Sequence, residues 1–132
     1  MDMRLVIDTS AIIAVVLNQG EKSALVSATL DSELIAPASV KWEIGNALSS
    51  LQKRGKISEH EINGAIDHYN QIPIHFEHPD LKQVLSICRK HQIYAYDAYV
   101  IACARDFRVP LLTLDLAMKA IAIKEKIKVV EV

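Results

Sequence analysis

The 132-residue chain is 51% hydrophobic and 23% charged, a composition typical of a compact globule and not of a disordered segment. Its formal net charge of −1 excludes a globally basic protein, so a polyanionic partner must be held by local patches or by bound cations. The longest apolar run near the N-terminus, residues 11–17, is far shorter than the ~20 residues of a membrane helix, and no cleavable signal pattern precedes it. We therefore expect one domain over residues 1–132, in the cytoplasm and without a membrane partner.

The first half of the chain is predicted to alternate strands with helices. We predict a buried strand over RLVID and then a helix over SAIIAVVLNQG, with Ser10 as a cap-like residue and Gly20 at its end. A second helix is predicted over EKSALVSATLDS, followed by a strand over ELIAPA that Pro37 stops. A third helix is predicted over SVKWEIGNALSSLQKRG, and a fourth over SEHEINGAIDHYNQ, where Ser58 and Glu61 have capping-box spacing.

The second half continues the alternation. IPIHF is a plausible third strand, and Pro73 within it favours an edge position. Helices are predicted over PDLKQVLSICRKHQ and YDAYVIACARDF, and the second is apolar nearly all round, which indicates central burial. Strands over PLLTLD and IKVVEV, separated by a helical LAMKAIAIKEK, complete the pattern. Strands that alternate with helices over short connections predict an α/β sandwich around a mostly parallel sheet.

Four acidic residues stand where apolar surroundings are expected. Asp8 ends the first predicted strand, Asp115 ends LLTLD, Asp97 lies near the start of an apolar helix, and Glu43 borders the apolar stripe of its helix. Each aspartate, taken singly, is explained by helix capping or by the helix dipole at about 1 kcal/mol, and Glu43 by a partly exposed helix edge. Taken together, the four acids need another explanation, because parallel α/β folds bring the carboxyl ends of their strands to one edge of the sheet.

A divalent cation is the economical explanation for such a set. Like charges that share a cleft repel and raise one another's pKa values, whereas a bound cation keeps the carboxylates ionised. Oxygen ligands without His or Cys indicate a hard ion, Mg²⁺ or Mn²⁺. Such ions can hold a phosphodiester and stabilise the leaving oxygen of an in-line displacement, so we hypothesise hydrolysis of a nucleic acid backbone.

Four blocks, VIDTSAIIA, WEIGNAL, YDAYVIACA and LLTLD, occur in an order and spacing that resemble PIN-domain nucleases, and within them the VapC-type toxins of prokaryotic toxin–antitoxin pairs. The resemblance implies a PIN-like three-layer α/β/α sandwich with a five-stranded sheet of order 3-2-1-4-5. It also implies an Mg²⁺- or Mn²⁺-dependent endoribonuclease that acts on RNA, inhibits translation and growth, forms a homodimer and is inhibited by a small antitoxin protein.

Carried over position by position, the resemblance implies roles for the four acids. Asp8 resembles the first metal ligand, Glu43 the second acid in E-x-x-N-A-L, and Asp97 the third in D-A-x-x-x-x-x-A. Asp115 resembles the fourth, which varies more in the family. These four are the predicted catalytic and metal-binding residues, and either Glu43 or Asp97 could accept a proton.

Three further residues are predicted to support the acids. Ser10 and Thr113 resemble hydroxyl residues that line the family's site, although Ser10 also suits a helix cap and Thr113 an ordinary strand position. Asn46 lies one helical turn after Glu43, where it can orient that carboxylate by a hydrogen bond or simply occupy an exposed position.

Aromatic and basic residues offer possible RNA contacts. Aromatic residues flank the helices that carry two of the acids, and they could stack on bases or pack in the core or a dimer interface: Trp42, Tyr94, Tyr96 and Tyr99. Basic residues cluster at helix ends and near the C-terminus, where they either contact phosphates or solubilise the surface: Lys53, Arg54, Lys56, Lys119, Lys124, Lys126 and Lys128.

Other functions remain as alternatives. A catalytically silent PIN-fold module would serve only in partner binding, and the four acids argue against it. Another α/β phosphoryl-transfer protein, such as a receiver domain or an aspartyl-nucleophile phosphatase, also places an aspartate after its first strand. The phosphatase would require D-x-D where this chain has Asp8-Thr9-Ser10. A nucleotide-binding Rossmann domain would require a glycine-rich loop, and the four glycines are scattered.

Overall fold

The computed structural model describes residues 3–132 and arranges them as seven helices and four strands. In chain order, the elements described are β1 (Met3–Ile7), α1 (Thr9–Val16), α2 (Lys22–Thr29), β2 (Ser32–Pro37), α3 (Val40–Lys53), α4 (Glu59–Gln71), β3 (Ile74–Glu77), α5 (Leu81–His91), α6 (Ala95–Phe107), β4 (Leu111–Leu112) and α7 (Leu116–Lys124). This order confirms the predicted alternation. Over the described part of the chain, no helix is long and apolar enough to cross a membrane.

The four strands form one parallel sheet in the order β3-β2-β1-β4. Val6 of β1 pairs with Ile35 on one side and with Leu111 on the other, so β1 is a central strand. Because all four strands are parallel, their carboxyl ends lie at the same edge of the sheet. The residues that follow β1 and β4 therefore lie at this edge.

Helices cover both faces of the sheet, which gives the predicted three layers. Val6 and Ile35 face a core built with α5, α6 and α7, whereas Leu5, Ile7 and Leu34 face a second core built with α1, α3 and α4. Side chains of a strand alternate between the two faces, and both faces are buried at the centre of the sheet, so residues 5–7 of β1 and residues 34–36 of β2 are apolar without interruption. The predicted α/β/α sandwich is therefore confirmed.

The predicted fifth strand is reduced to a single bridge. Leu111 pairs in parallel with Val129, and the bonds run from Leu111 N to Lys128 O at 2.8 Å and from Val130 N to Leu111 O at 2.9 Å. IKVVEV therefore occupies the expected fifth position, but the sheet has four strands and not five. The reason lies in β4, which ends after Leu112 and offers a fifth strand few groups to pair with.

Local signals in the sequence account for several boundaries. Ser58 and Glu61 form the predicted capping box at α4, with reciprocal bonds of 3.1 Å between side chain and backbone. Pro37 is the last residue of β2, and β3 lies at an edge of the sheet as predicted from Pro73. Gly55 follows α3 with φ +68°, a left-handed conformation that glycine adopts without steric cost.

Candidate active site

Asp8 follows β1 at the sheet edge, buried to 3% exposure. Because Ile7 pairs with Leu112, the next residues of the two strands, Asp8 and Thr113, lie side by side. The Thr113 hydroxyl donates to Asp8 Oδ2, the Ser10 hydroxyl to Oδ1 at 2.7 Å, and the Ala11 N–H to Oδ1 at 3.1 Å. Burial raises the pKa of Asp8 despite these three hydrogen bonds, which lower it.

The two predicted hydroxyl residues both contact this carboxylate. Ser10 is not the N-cap of α1; Asp8 is, because its side chain accepts the Ala11 N–H. The Ser10 hydroxyl instead accepts the Leu114 N–H at 3.0 Å and lies 3.3 Å from the Thr113 hydroxyl. Thr113 is fully buried just beyond β4. Both hydroxyls therefore fix the position of Asp8 and are more than local helix or strand residues.

Glu43 lies in the first turn of α3 and is half-buried. Burial and the nearby charge of Asp97 raise its pKa to about 7, with a smaller contribution from Asp8. The Thr9 hydroxyl is close enough to lower this pKa, but within residues 3–132 neither Thr9 Oγ1 nor Glu43 Oε1 has a hydrogen bond of good geometry. A buried carboxylate oxygen without a partner is costly, and a cation or a donor from a ligand would satisfy it.

Asp97 and Asp115 complete the set from the other side of the edge. Asp97, half-buried in the first turn of α6, has its pKa raised by burial and by the charges of Asp115 and Asp8. The prediction that Asp115 ends a strand is wrong: it is the exposed N-cap of α7, and its Oδ1 accepts N–H groups of Ala117 and Met118 at 2.9 and 3.2 Å. Strand pairing stops at Leu112 because Thr113 turns toward Asp8.

The four predicted acids act on one another electrostatically. The charge of Asp115 raises the pKa of both Asp8 and Asp97, Asp97 raises that of Glu43, and Asp8 raises that of Glu43 and Asp97. In the described chain, however, no three Asp, Glu, His or Cys side chains are arranged closely enough to hold one metal ion. The acids are therefore neighbours that repel one another, and their oxygens do not form a ready-made coordination cage.

The chemistry of this donor set fits a hard divalent cation. All four groups are carboxylates, which suit Mg²⁺ or Mn²⁺, and Glu43 contributes a buried oxygen that lacks a partner among the described residues. A cation would also offset the mutual repulsion that, after burial, contributes to the raised pKa values of Asp8, Glu43 and Asp97. Asp8, Glu43, Asp97 and Asp115 are the residues that could hold such a cation, provided that their side chains move closer together than they stand in the described chain.

The structure separates Asn46 from this group and adds two residues that the sequence reasoning missed. Asn46 is exposed, and over residues 3–132 its side chain makes no hydrogen bond to Glu43. Thr9 lies beside Glu43, and its place directly after Asp8 was an available signal. Ser39 is buried one helical turn before Glu43, and the Glu43 N–H donates to the Ser39 carbonyl at 3.1 Å. The four-residue spacing between Ser39 and Glu43 could have indicated that both lie on the same face of α3.

Solved structures with the same fold come from archaea and bacteria. PAE2754 from Pyrobaculum aerophilum aligns with TM-score 0.73 at 20% identity, covering 92% of this chain and 87% of that one. VapC20 from Mycobacterium tuberculosis, described as a sarcin-ricin loop cleaving toxin, aligns with TM-score 0.63 at 14% identity, covering 88% and 93%. VapBC2 from Rickettsia felis, solved with a fragment of promoter DNA, aligns with TM-score 0.68 at 11% identity, covering 97% and 98%.

Sequence comparison assigns the family. The sequence matches no curated protein. The PIN domain model, in contrast, matches residues 5–124, which include all four acids and every strand of the sheet except the first two residues of β1. The chain belongs to the PIN domain family.

Proposed function

We propose that this PIN domain is an Mg²⁺- or Mn²⁺-dependent endoribonuclease, the toxin of a VapBC-type toxin–antitoxin pair, that inhibits translation and growth by cleaving RNA. The observation that carries the proposal is the cluster of four carboxylates at the sheet edge, in which buried Asp8 is held by three hydrogen bonds. The three hydrogen bonds offset the cost of burying Asp8 only in part, since its pKa stays raised, and a carboxylate kept in such surroundings is typical of functional sites.

The chain's own residues divide the work of the reaction. Asp8 is held rigidly by Ser10 and Thr113, so it serves as the fixed ligand of the set. Glu43 and Asp97 stand on two different helices, and either can accept the proton of the attacking water. The four carboxylates would hold Mg²⁺ or Mn²⁺, which would supply Lewis-acid stabilisation of the phosphodiester during in-line displacement.

The structural relatives support the toxin assignment. One is described as a toxin that cleaves the sarcin-ricin loop, and another was solved as a VapBC complex on promoter DNA. By the same reasoning we propose a small antitoxin as the protein partner, a homodimer as the assembly and the cytoplasm as the location. The proposed functional unit is a single PIN domain over residues 1–132.

The experiment compares RNA cleavage and growth inhibition by wild type with those of Asp8→Asn, Asp97→Asn and the control Asp106→Asn. Asp106 lies nine residues after Asp97 on α6 with its side chain 43% exposed, so it lies outside the acidic set. We expect both activities to be lost in the first two variants with Tm retained, and to persist in the control. RNA cleavage by Asp8→Asn, or by wild type in excess EDTA, contradicts the proposal. If wild type cleaves no RNA with either Mg²⁺ or Mn²⁺, the result favours a silent partner-binding module.

A further inference from the structure

A cavity with an aromatic lining is formed by residues that adjoin two of the acids along the chain, although none of the four acids lines it. It has a volume of about 510 Å³, within the range of small-molecule sites, and its lining includes Ser39 and Trp42 of the α3 end, Glu77 of β3, and Tyr96 and Tyr99 of α6. Trp42 directly precedes Glu43, and Tyr96 directly precedes Asp97. The cavity thus adjoins Glu43 and Asp97 along the chain and extends to Glu77 of the edge strand β3.

The aromatic residues of this cavity are unusually exposed. Trp42 is 63% exposed and Tyr96 is 45% exposed, although both belong to helices whose other faces are buried in the core. Trp42, Tyr94 and Tyr96 do not pack in the core, so base stacking and a dimer interface are the predicted alternatives left for them. Large aromatic side chains that converge on one exposed cavity from two helices offer a surface that suits a flat apolar ligand.

A buried polar group gives a second, independent indication of a ligand. Ser39 is 5% exposed and lines the cavity, yet within the described residues its hydroxyl has no hydrogen-bond partner. Ser39 holds the N-cap position of α3 but makes no capping bond there. A buried hydroxyl that serves neither its own helix nor another side chain of residues 3–132 is costly to leave unpaired, and a polar ligand edge would pair with it.

We propose that this cavity is a nucleobase subsite, in which an unpaired RNA base stacks on Trp42 and Tyr96 while its polar edge bonds to Ser39. The proposal rests on the proposed function, because the base belongs to the nucleotide next to the phosphodiester held at Glu43 and Asp97. Stacking on aromatic side chains is the usual way in which proteins hold single-stranded bases.

Glu77 gives the subsite a preference among bases. Its half-buried side chain lines the cavity, and an ionised carboxylate accepts hydrogen bonds but donates none. Bases that present an amino group, such as cytosine, therefore match it better than uracil, which has a carbonyl at the same position. The amide of Glu77→Gln can donate a hydrogen bond as well as accept one, so this variant should bind cytosine and uracil about equally.

The test uses neutral nucleosides, which need no metal and cannot be cleaved. Trp42 is the only tryptophan of the chain, so its indole N–H gives one identifiable signal in a ¹H–¹⁵N spectrum. Cytidine and uridine are titrated into the full chain in EDTA, and the Trp42 signal is followed in wild type, Tyr96→Ala, Glu77→Gln and Tyr94→Ala. Tyr94 is the matched control, because it is an aromatic residue of the same region, 87% exposed and outside the cavity lining.

We expect cytidine to shift the indole signal at lower concentration than uridine, and Tyr96→Ala to weaken cytidine binding by about 5- to 150-fold, the loss typical of one stacking partner. Tyr94→Ala should change it by less than about twofold, since it removes no stacking surface. The proposal is overturned if neither nucleoside shifts the indole signal, or if Tyr96→Ala and Tyr94→Ala weaken binding equally. It is also overturned if the signal moves with protein concentration and not with nucleoside, because a second copy of the chain would then occupy the cavity. Equal binding of both nucleosides by wild type overturns the role given to Glu77.

A cleavage assay separates this proposal from the proposed function. If wild type cleaves RNA, Trp42→Ala should raise KM by about 5- to 150-fold with little change in kcat, and Trp42→Phe should recover most of the loss. Cleavage that is unaffected by Trp42→Ala rejects the subsite and leaves the nuclease standing. Nucleoside binding without any metal-dependent cleavage rejects the nuclease and leaves the base-binding cavity.

Discussion

Removing the negative charge of Glu43 should stabilise the metal-free protein at alkaline pH. The pKa of Glu43 is raised from its ordinary value of 4.5 to about 7 by burial and by the charge of Asp97. The folded state therefore holds a proton that the unfolded chain has released, and the free energy of unfolding falls as pH rises from about 4.5 to about 7. Above about pH 7 this part of the free energy of unfolding is lost completely. Glu43→Gln stays neutral at every pH and therefore does not lose it.

The size of the effect follows from the pKa. A rise from 4.5 to about 7 corresponds to roughly 3 kcal/mol at about 1.4 kcal/mol per pH unit. Two corrections reduce this value: the side chain is only half-buried, and a carboxylate in the first turn of α3 gains about 0.3–1 kcal/mol from the helix dipole. We expect Glu43→Gln to be more stable than wild type by about 1–3 kcal/mol, which is a rise of roughly 5–10 °C in Tm for a chain of this size.

The assay is thermal unfolding of wild type and Glu43→Gln in EDTA at about pH 5 and about pH 8.5, on either side of the titration. The two Tm values should be similar at the lower pH, and the variant should be the more stable at the higher pH. Excess Mn²⁺ should then raise the Tm of wild type more than that of the variant, because Glu43 is one of the proposed ligands. A variant less stable than wild type at the higher pH would refute the electrostatic reasoning.

Two further predictions concern stability away from the acids. Glu125, whose side chain is 6% exposed, accepts from Lys90, His91 and Arg105 at 2.8, 2.7 and 3.2 Å, and these contacts lower its pKa from 4.5 to about 2. The ionised Glu125 carboxylate should therefore stabilise the fold above about pH 4.5, and urea unfolding should show this stabilisation lost as pH falls through about 2. Glu125→Gln should lack the stabilisation and unfold with about 1–3 kcal/mol less free energy at neutral pH, a range discounted for the exposed Lys90. Parallel pH profiles of wild type and variant would contradict this prediction. Ser58→Ala should cost about 1 kcal/mol by removing the α4 capping box, and an unchanged urea midpoint would show that the cap contributes nothing.

Periodicity and capping signals were sufficient to predict the alternation of strands and helices around a mostly parallel sheet, whereas the three layers and the strand order came from the family resemblance. Uninterrupted apolar segments such as LVI in β1 require cover on both faces, and the capping box at Ser58 marks a helix start with little ambiguity. Pairing at the end of the sheet was less predictable. PLLTLD and IKVVEV have strand composition, but Thr113 leaves the strand to donate to Asp8, and the fifth strand then pairs only through Leu111.

The acids were predictable as a set, but their individual environments were not. Ser10 and Asp8 both suit a helix start, and only the coordinates show that Asp8 caps α1 while Ser10 bonds to it. The distances among four carboxylates depend on how three helices and a sheet edge meet, which sequence spacing does not specify. The same holds for Trp42, whose exposure depends on the cavity between α3 and α6.

The central claim, that carboxylates distant along the chain bind one kind of divalent cation, is tested most directly by measuring Mn²⁺ binding to the purified protein by calorimetry. We predict saturable binding to wild type and to Asp106→Asn, and its loss in Asp8→Asn, which keeps the side-chain shape but removes the buried charge. Equal Mn²⁺ affinity in Asp8→Asn and wild type, or no binding to wild type at all, contradicts the account.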